Sequence, residues 1–379
     1  MLFVLTGSTP DALHHLPRRQ MTFQFLDRAC RRIGIDMVLT TPERLDSVRG
    51  ICHGWSLDDT EQQEWKPRQC HLAGGVVWDA MYLADLKAHK VAYRRLVDKL
   101  PALGVVMFNP KFPAKDELNV LIQSVEVEMQ APISQSLLPQ THVNVDADDV
   151  VRLLKDTNGR VWFKPVYGSG GRNMLLISRV GNELYQVQGE RFYRRHVAEQ
   201  WTKRQLVRQL QKALEKRPYM LQHDVQLIQT PDGRKVDFRV TLVRGRFGNW
   251  RKTAMTARFG KSGHSLTNYH AGGSIQSLTV MNPEVRETLT SLNLTEADLG
   301  RIANAAIKAA EVISARYNTV GMLGIDVGIS SDDGCAYVYD FNSRPGRDIL
   351  TDREVDVTMN QVARFACYLL NTVESRVLH

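Results

Sequence analysis

The stretch that decides the fold is residues 324–346, which read GIDVGISSDDGCAYVYDFNSRPG. Two strand-like runs flank the polar turn 330–334, and this pattern predicts a β-hairpin. Side chains along a strand alternate between its two faces, which puts Asp340 and Asn342 on the same side. When such a hairpin closes, Asp326 on the partner strand lies near them. The sequence therefore predicts two carboxylates and one amide oxygen in one small region.

Oxygen ligands of this kind suit Mg²⁺, which usually completes its coordination shell with water and substrate phosphates. The alternative is a surface hairpin whose acidic side chains are simply solvated. The hairpin by itself leaves both interpretations open, so the rest of the chain has to distinguish them.

The composition is that of a globular protein with ample core: 379 residues, 43% hydrophobic and 24% charged. This length predicts two or three domains. No apolar run approaches the roughly 18 residues that span a bilayer, and the first residues predict a β-strand rather than a signal peptide. The net charge of +8 is spread along the chain. An anionic small-molecule ligand explains it equally well, so nucleic acid is not favoured as a partner.

The cysteines are scattered and form no C-x-x-C pair; they are Cys30, Cys52, Cys70, Cys335 and Cys367. This pattern predicts free thiols in a reducing cytoplasm. A zinc site built from the Cys-His pairs at 52–53 and 70–71 is an alternative, but the spacing matches no familiar zinc pattern.

Strand and helix signals alternate over residues 1–110, which predicts a small open α/β domain with a parallel sheet. Predicted strands cover 1–6, 35–40, 74–78 and 104–108, and predicted helices cover 21–33 and 83–100. Residues 56–69 are polar and unperiodic, which predicts a loop. Further on, the basic region 191–217 also contains glutamates and is interpreted as a solvated helix face.

The segment 161–177 reads VWFKPVYGSGGRNMLLI and predicts a strand, a glycine-rich turn and a second strand. The turn lacks the Lys-Ser/Thr of a P-loop, and Asn173 takes the place of the third glycine of a dinucleotide fingerprint. Its glycines leave backbone N–H groups free to approach phosphates, and Lys164 lies just before them. The alternative is a plain hairpin with a lysine that reaches solvent.

Three later segments extend this pattern. The strand over 219–227 can offer backbone groups to a nucleobase edge, and the strand over 236–243 carries Asp237 and Arg239 on one face. Thr295 begins a capping box, which predicts the start of a core helix.

In this order the segments resemble the ATP-grasp superfamily, and within it the endospore coat-associated (YheC/YheD-type) branch. The resemblance covers about residues 105–370 and rests on five motifs: Lys-Pro-x-x-Gly-Ser at 164–169, Gln222 before an apolar strand, Asp-Phe-Arg at 237–239, a Trp-bearing strand ending in Ala-Arg at 257–258, and Asn-x-x-x-Gly-Gly at 268–273.

The resemblance implies an α/β protein in which two α+β lobes clamp ATP. The ATP-grasp domain would cover 105–379, with a nucleotide-binding lobe at about 140–225 and a metal-binding lobe at about 226–379. A small open α/β domain at 1–104 would precede it.

The resemblance also implies an ATP-binding set of side chains. Lys115 and Lys164 would contact the phosphates, and the Gly-rich loop would close over the β- and γ-phosphates. Many members of the superfamily have Glu at the adenine hinge, so the residue that meets adenine or ribose stays open here. The full set is Lys115, Lys164, Gly168, Ser169, Gly170, Gly171, Gln222, His223, Val225 and Asp237.

Asp326, Asp340 and Asn342 match the family's Mg²⁺ ligands, and two ions are expected. Asp340 stands where Glu is usual, and its shorter side chain still supplies an oxygen. The arginines that would neutralise the acyl phosphate or the γ-phosphate are Arg239, Arg258 and Arg344, since guanidinium groups suit planar oxyanions.

The expected activity is that of an ATP-dependent carboxylate–amine ligase, which forms an amide or peptide bond through an acyl phosphate and releases ADP and phosphate. Two alternatives stay open: an ATP-binding structural or spore-coat-type protein with little catalysis, and an ATP-grasp kinase that phosphorylates a small molecule. The expected partners are small-molecule or peptide carboxylates and amines, without a membrane, and a homodimer is left open. The expected location is the cytoplasm.

Overall fold

The computed structural model describes residues 1–58, 64–110, 112–129, 136–156, 159–168, 171–193, 195–262 and 272–377. Over these ranges the chain forms three β-sheets with helices packed against them. The predicted α/β class is confirmed.

The first sheet is built by the N-terminal part of the chain. Its strands are β1 (Leu2–Leu5), β2 (Met37–Thr40), β3 (Leu45–Asp46), β4 (Ile51–Leu57), β5 (Trp65–His71), β6 (Val76–Asp79) and β7 (Val106–Phe108). Strands β2, β1, β6 and β7 run parallel in that spatial order, as predicted. The helices of this part are α1 (Pro10–His14), α2 (Pro17–Arg32), α3 (Leu83–Ala88) and α4 (Lys90–Lys99).

The loop predicted for residues 56–69 is wrong at both of its ends. Residues up to Leu57 belong to β4, and β5 begins at Trp65 and pairs with β4 in antiparallel register. The sequence signal is weak because β5 is an edge strand: it is largely exposed, and it tolerates Pro67, which a central strand would not. Residues 59–63 lie outside the described residues.

The second sheet is antiparallel and follows helix α5 (Lys115–Glu128). Its strands are β8 (Thr141–His142), β9 (Arg160–Pro165), β10 (Leu175–Arg179), β11 (Leu184–Phe192), β12 (Arg195–Thr202) and β13 (Tyr219–His223), in the spatial order β12-β11-β10-β9-β13-β8. Helices α6 (Ala147–Asp156) and α7 (Lys203–Leu214) share a hydrophobic core with it.

The helix face predicted for 191–217 is wrong in its first half. This part of the chain forms the end of β11 and all of β12, and a helix begins only at Lys203. Val197 and Trp201 on β12 and Val187 on β11 are buried in the core of the second sheet. Exposed charged residues between them hide this alternation in the sequence.

The third sheet has the spatial order β16-β15-β14-β17-β18. Its strands are β14 (Val236–Arg244), β15 (Trp250–Phe259), β16 (Ser274–Ser277), β17 (Met322–Ile329) and β18 (Ala336–Asn342). The helices of this part are α8 (Pro283–Ser291), α9 (Glu296–Arg316) and α10 (Asp352–Val377). Thr295 caps α9 through the predicted capping box.

Two hydrophobic cores hold the third sheet. Helix α9 buries its apolar residues against one of them, as Ile302 and Ala306 show. Helix α10 packs against α2 and joins residues of the first and third sheets in a single core that includes Phe23, Trp78 and Val362. The N-terminal sheet is therefore fixed to the C-terminal part of the chain by a shared core. None of the helices in the described ranges is long and apolar enough to cross a membrane.

Candidate functional site

The predicted hairpin is present, and its register brings the acidic residues together. Strands β17 and β18 pair in antiparallel fashion with Asp326 directly opposite Asp340 and Gly324 opposite Asn342. The Asn342 amide makes only long contacts, donating to the Gly324 carbonyl at 3.4 Å and to Asp340 Oδ2 at 3.5 Å. These three predicted metal ligands therefore lie in one region of the third sheet.

Asp326 is 5% exposed, and guanidinium groups hold both of its carboxylate oxygens. Arg239 donates to both oxygens, with its Nη2 at 3.1 Å from Oδ2, and Arg258 Nη2 lies 3.0 Å from Oδ2. Burial alone would raise the pKa of Asp326, but the two guanidinium groups outweigh it and hold the pKa below its ordinary value. Asp326 is therefore a carboxylate that already carries two counter-charges.

Asp237, which shares Arg258 with Asp326, is fully buried. Arg258 donates to it through Nε and Nη2, each at 2.7 Å, in a bidentate contact, and the Tyr339 hydroxyl donates to its Oδ2. Burial opposes the charge of Arg258, but Asp237 and Asp326 together raise its pKa well above its ordinary value. We call Asp237, Asp326, Arg239, Arg258 and Tyr339 the arginine network.

Two lysines meet the hairpin from other elements. Lys115, at the start of α5, places its Nζ 2.7 Å from Asp340 Oδ1. Lys164 on β9 is 7% exposed and donates to the side-chain carbonyl of Gln222. Burial, with a smaller contribution from the charge of Lys115, lowers the pKa of Lys164 to about 8. The site therefore gathers two ammonium groups close enough to repel each other.

The predicted adenine hinge lies beside Lys164. Gln222 is 1% exposed and uses its amide nitrogen to donate to Thr141 Oγ1 at 3.0 Å, so its side chain orients Lys164. His223 is half-buried and stacks on His142 with 5.7 Å between ring centroids. Burial, and then His142, lowers the pKa of His223. Val225, the last predicted hinge residue, lines the adjoining cleft.

This cleft has walls that the sequence reasoning missed. Trp162 and Tyr339 line it from the second and third sheets, and their rings lie 5.8 Å and 5.5 Å from Lys164 Nζ. A sequence signal existed for Trp162, because it precedes Lys164 by two positions on β9 and so shares its face. Apolar side chains that complete the lining include Pro139, Met174, Val225 and Leu227. The cleft is a narrow, apolar space that ends at a buried cation.

The glycine-rich turn is described only at its two ends. Gly168 and Gly171 have φ values of +153° and +69°, which a residue with a side chain rarely adopts. Ser169 and Gly170 lie outside the described residues, as do 268–271 of the Asn-x-x-x-Gly-Gly motif.

Arg344 makes its contacts with the N-terminal sheet. Its Nη2 donates to Asp79 Oδ2 and lies 3.3 Å from the hydroxyl of Tyr93, which itself donates to Asp79 at 2.6 Å. Asp79 is 1% exposed, and burial raises its pKa. Of the three predicted catalytic arginines, the structure thus brings Arg239 and Arg258 to the hairpin and ties Arg344 to the first sheet.

Asp340 and Asn342 have the features expected of cation ligands. Asp340 Oδ1 is buried, and among the described residues its close polar contact is the ion pair with Lys115 Nζ at 2.7 Å. Asn342 makes only the long contacts given above, so its side chain is weakly held. Across the described residues no group of three or more His, Cys, Asp or Glu side chains is arranged to hold a metal, around Cys52 and Cys70 or elsewhere. A Mg²⁺ ion held by this pair would take its remaining ligands from water and phosphate oxygens.

A family model described as YheC/D like ATP-grasp matches residues 104–369. The chain belongs to the YheC/D-like ATP-grasp family. The predicted superfamily and branch are therefore confirmed.

One relative and two solved structures illustrate the similarity. The endospore coat-associated protein YheD of Bacillus subtilis (strain 168) is 22% identical over 281 residues, which cover 73% of this chain and 58% of the relative. The chain thus spans less than two thirds of that relative's length. D-alanyl-alanine synthetase A from Vibrio cholerae aligns over 100% of this chain and 98% of its own, with 10% identity and a TM-score of 0.52. It has the ATP-grasp fold, which confirms the predicted architecture.

The second structure is the ATP-grasp ligase PsnB complexed with a minimal precursor, Mg and ADP. It is 13% identical, covers 99% of this chain and 96% of its own, and gives a TM-score of 0.45.

Proposed function

We propose that this YheC/D-like ATP-grasp protein is an ATP-dependent carboxylate–amine ligase. It would bind ATP with Mg²⁺, transfer the γ-phosphate to a carboxylate, and let an amine displace phosphate to give an amide or peptide bond. The products are ADP and phosphate. This proposal keeps the predicted roles of Lys115, Lys164, Asp340 and Asn342, whereas Asp237, Asp326 and Arg344 take part through the contacts described above.

The observation that carries the proposal is the meeting of Lys115, Lys164 and Asp340 at the end of an apolar cleft. Two neighbouring ammonium groups repel each other, and a buried lysine loses solvation, so this arrangement is costly without an anion. A nucleotide would fill the cleft with its base and bring its phosphates to both lysines. The Mg²⁺ ion that accompanies the phosphates would need oxygen ligands, which Asp340 and Asn342 would supply.

The residues of the chain divide the work by their contacts. Lys164 and Lys115 would hold the phosphates, with Lys164 oriented by Gln222. The arginine network would hold Arg239 and Asp326 in place beside the reacting phosphate, because pre-positioned charges stabilise phosphoryl transfer more than covalent help does. Asp237 is then a positioning residue, since its contacts are with Arg258 and Tyr339. Bound Mg²⁺ would neutralise phosphate charge.

The test is a screen for ADP release across amino acids and peptides, with mass spectrometry of the products. We expect ADP, phosphate and a new amide for at least one carboxylate–amine pair. Asp340→Ala is the blank and should lower turnover by at least about 100-fold, since a metal ligand and the partner of Lys115 are lost together. Asp36→Ala removes an exposed carboxylate that pairs with Arg68 on the N-terminal sheet; it is the matched control and should keep its turnover.

Three results would contradict the ligase proposal. Release of AMP and pyrophosphate would exclude an acyl phosphate formed from the γ-phosphate. A stable phosphorylated product without an amide would select a kinase. ATP binding without ADP release for any pair would select a structural protein, such as one associated with a spore coat. The location in the cytoplasm and a homodimer stay predictions.

A further inference from the structure

A second cleft, of about 320 Å³, lies between the start of α2 and residues 346–348. The ionisable side chains that line it are those of His15, Arg18, Arg19, Arg347 and Asp348. None of these residues belongs to the ATP-binding or metal-binding sets above. We call it the Arg347 cleft.

Arg347 is 5% exposed, yet its guanidinium group is incompletely bonded. The group lies over the rings of Trp78 and Tyr82, at 5.6 Å and 4.9 Å from their centroids. Its Nη2 is buried and has no hydrogen-bond partner in the part of the chain that the structure describes. A buried donor on a charged group is costly when it is left unbonded. This atom therefore points to a missing acceptor.

The other two arginines of the cleft are already engaged. Arg18 binds Asp352 and the carbonyl of Leu350, and its Nε and Nη2 lie 3.2 Å from the Arg347 carbonyl. Arg19 donates to Ser8 Oγ at 2.6 Å and to Asp85 at 3.3 Å. These bonds fix the walls of the cleft and leave Arg347 as the group that needs a ligand.

The start of α2 adds positive potential to the same cleft. This helix has 16 residues, and Leu16 at its N-cap provides no side-chain hydrogen bond. Its first turn contains no acidic residue but carries Arg18 and Arg19. The N-terminal end of a helix is itself electropositive, although Pro17 has no N–H and the N–H groups of Arg19 and Gln20 already donate to the Leu16 carbonyl. Arg347 and the helix end are thus two independent features that favour the same kind of ligand.

We propose that the Arg347 cleft binds an anionic oxyacid group, a carboxylate or a phosphate, carried by the substrate of the ligase. That the anionic group belongs to a substrate rests on the proposed function. Binding of an anion in this cleft does not depend on turnover. Asn342 and Arg347 are five residues apart, so their Cα atoms are at most about 17 Å apart. A substrate with one reacting group and a second, anionic group at its other end can bridge this span. The substrate class is therefore an acidic amino acid, an acidic peptide or a phosphorylated small acid.

The test measures binding without ATP by isothermal titration calorimetry. Inorganic phosphate and glutarate are titrated separately at constant ionic strength set with chloride. We expect at least one of them to bind the wild type, and Arg347→Gln to weaken that affinity by about 10-fold or more, as expected for loss of a charged hydrogen bond. Phosphate binding alone indicates a phosphorylated substrate, and glutarate binding alone indicates a carboxylate.

Two matched variants show where the anion binds. Arg44→Gln removes another arginine that lies over a tryptophan, 4.4 Å from the Trp55 ring, and should leave the affinity unchanged. Lys115→Met should lose only phosphate that binds at the proposed nucleotide site and should keep the binding that Arg347→Gln weakens. The inference is overturned when neither anion binds the wild type, when Arg347→Gln binds as the wild type does, or when Lys115→Met removes the binding that Arg347→Gln keeps.

Folding is checked by thermal unfolding of each variant without anion. Arg347→Gln should unfold at the wild-type temperature or higher, because it removes a buried charge whose Nη2 has no hydrogen-bond partner among the described residues. If Arg347→Gln unfolds at a lower temperature than the wild type, Arg347→Lys is measured as well. This variant keeps the positive charge and should bind the anion more tightly than Arg347→Gln. Equally weak anion binding by the two variants overturns the inference. Glutamate is then compared with glutamine in the ADP-release screen. Anion binding without any ADP release contradicts the ligase proposal and leaves the anion site standing.

Discussion

The arginine network and the Arg347 cleft each contain a buried guanidinium group, and the two groups differ in how completely they are bonded. Arg258 has a bidentate contact with Asp237 and a further contact with Asp326, so its charge is fully compensated. Arg347 is buried to a similar degree and keeps an unbonded nitrogen. Arg258, bonded to two carboxylates, holds structure in place, whereas we propose that the unbonded Nη2 of Arg347 faces a ligand. This contrast indicates that Arg258 positions the site, and it supports our proposal that Arg347 binds an anion.

The largest expected effect comes from breaking the arginine network with Asp237→Asn. The change keeps the size of the side chain but leaves Arg258 buried without its bidentate carboxylate. Removing one partner of a buried ion pair typically costs about 3–5 kcal/mol. Urea unfolding should therefore show a loss of this size in the free energy of unfolding. A loss below about 1 kcal/mol would mean that the network is solvated, and the contrast with Arg347 would fail.

The second prediction concerns Lys164, a buried cation whose hydrogen bond goes to the neutral side chain of Gln222. Its pKa of about 8 lies below the ordinary value of 10.5, so the ammonium is charged below pH 8 and loses its charge above. ATP affinity should stay constant up to that pH and then fall as the pH rises. Lys164→Met should bind ATP about 10-fold or more weakly and lose this dependence. Calorimetric titration with ATP between pH 7 and pH 9.5 measures both effects.

An unchanged pH profile in Lys164→Met would assign the dependence to another group. His223 titrates in a different window, since its pKa is lowered from 6.5. The contributions of Lys164 and His223 to the pH dependence can therefore be distinguished by the pH range in which each occurs.

The smallest expected effect is that of Asp352→Asn. Asp352 pairs with Arg18, but its side chain is 72% exposed, so the ion pair is screened by water. Such pairs contribute about 0–1 kcal/mol. The free energy of unfolding should change by less than 1 kcal/mol, and a larger loss would show that this wall of the Arg347 cleft is held by charge rather than by packing.

The fold was predictable from the sequence where its patterns are local. The hairpin of β17 and β18 and the Lys164 strand follow from alternation, turns and spacing, whereas the five ordered motifs were recognised by their resemblance to the ATP-grasp superfamily. Strands β5 and β12 escaped prediction because edge strands carry exposed charged residues that resemble a loop or a helix face. Pairing with a neighbouring strand stabilises them, and that neighbour is not visible in a short window of sequence.

For the candidate site, the sequence by itself determined the residue types and their faces. It indicated that Asp326, Asp340 and Asn342 would meet, and the register of β17 and β18 brings them together. The tertiary structure decided the partners: Gln222 orients Lys164, and Arg344 binds Asp79 on the first sheet. Charge pairing depends on which elements pack together and how deeply, since burial sets the cost of every unpaired group. For the same reason, the buried and unbonded Nη2 of Arg347 could be recognised only in the tertiary structure.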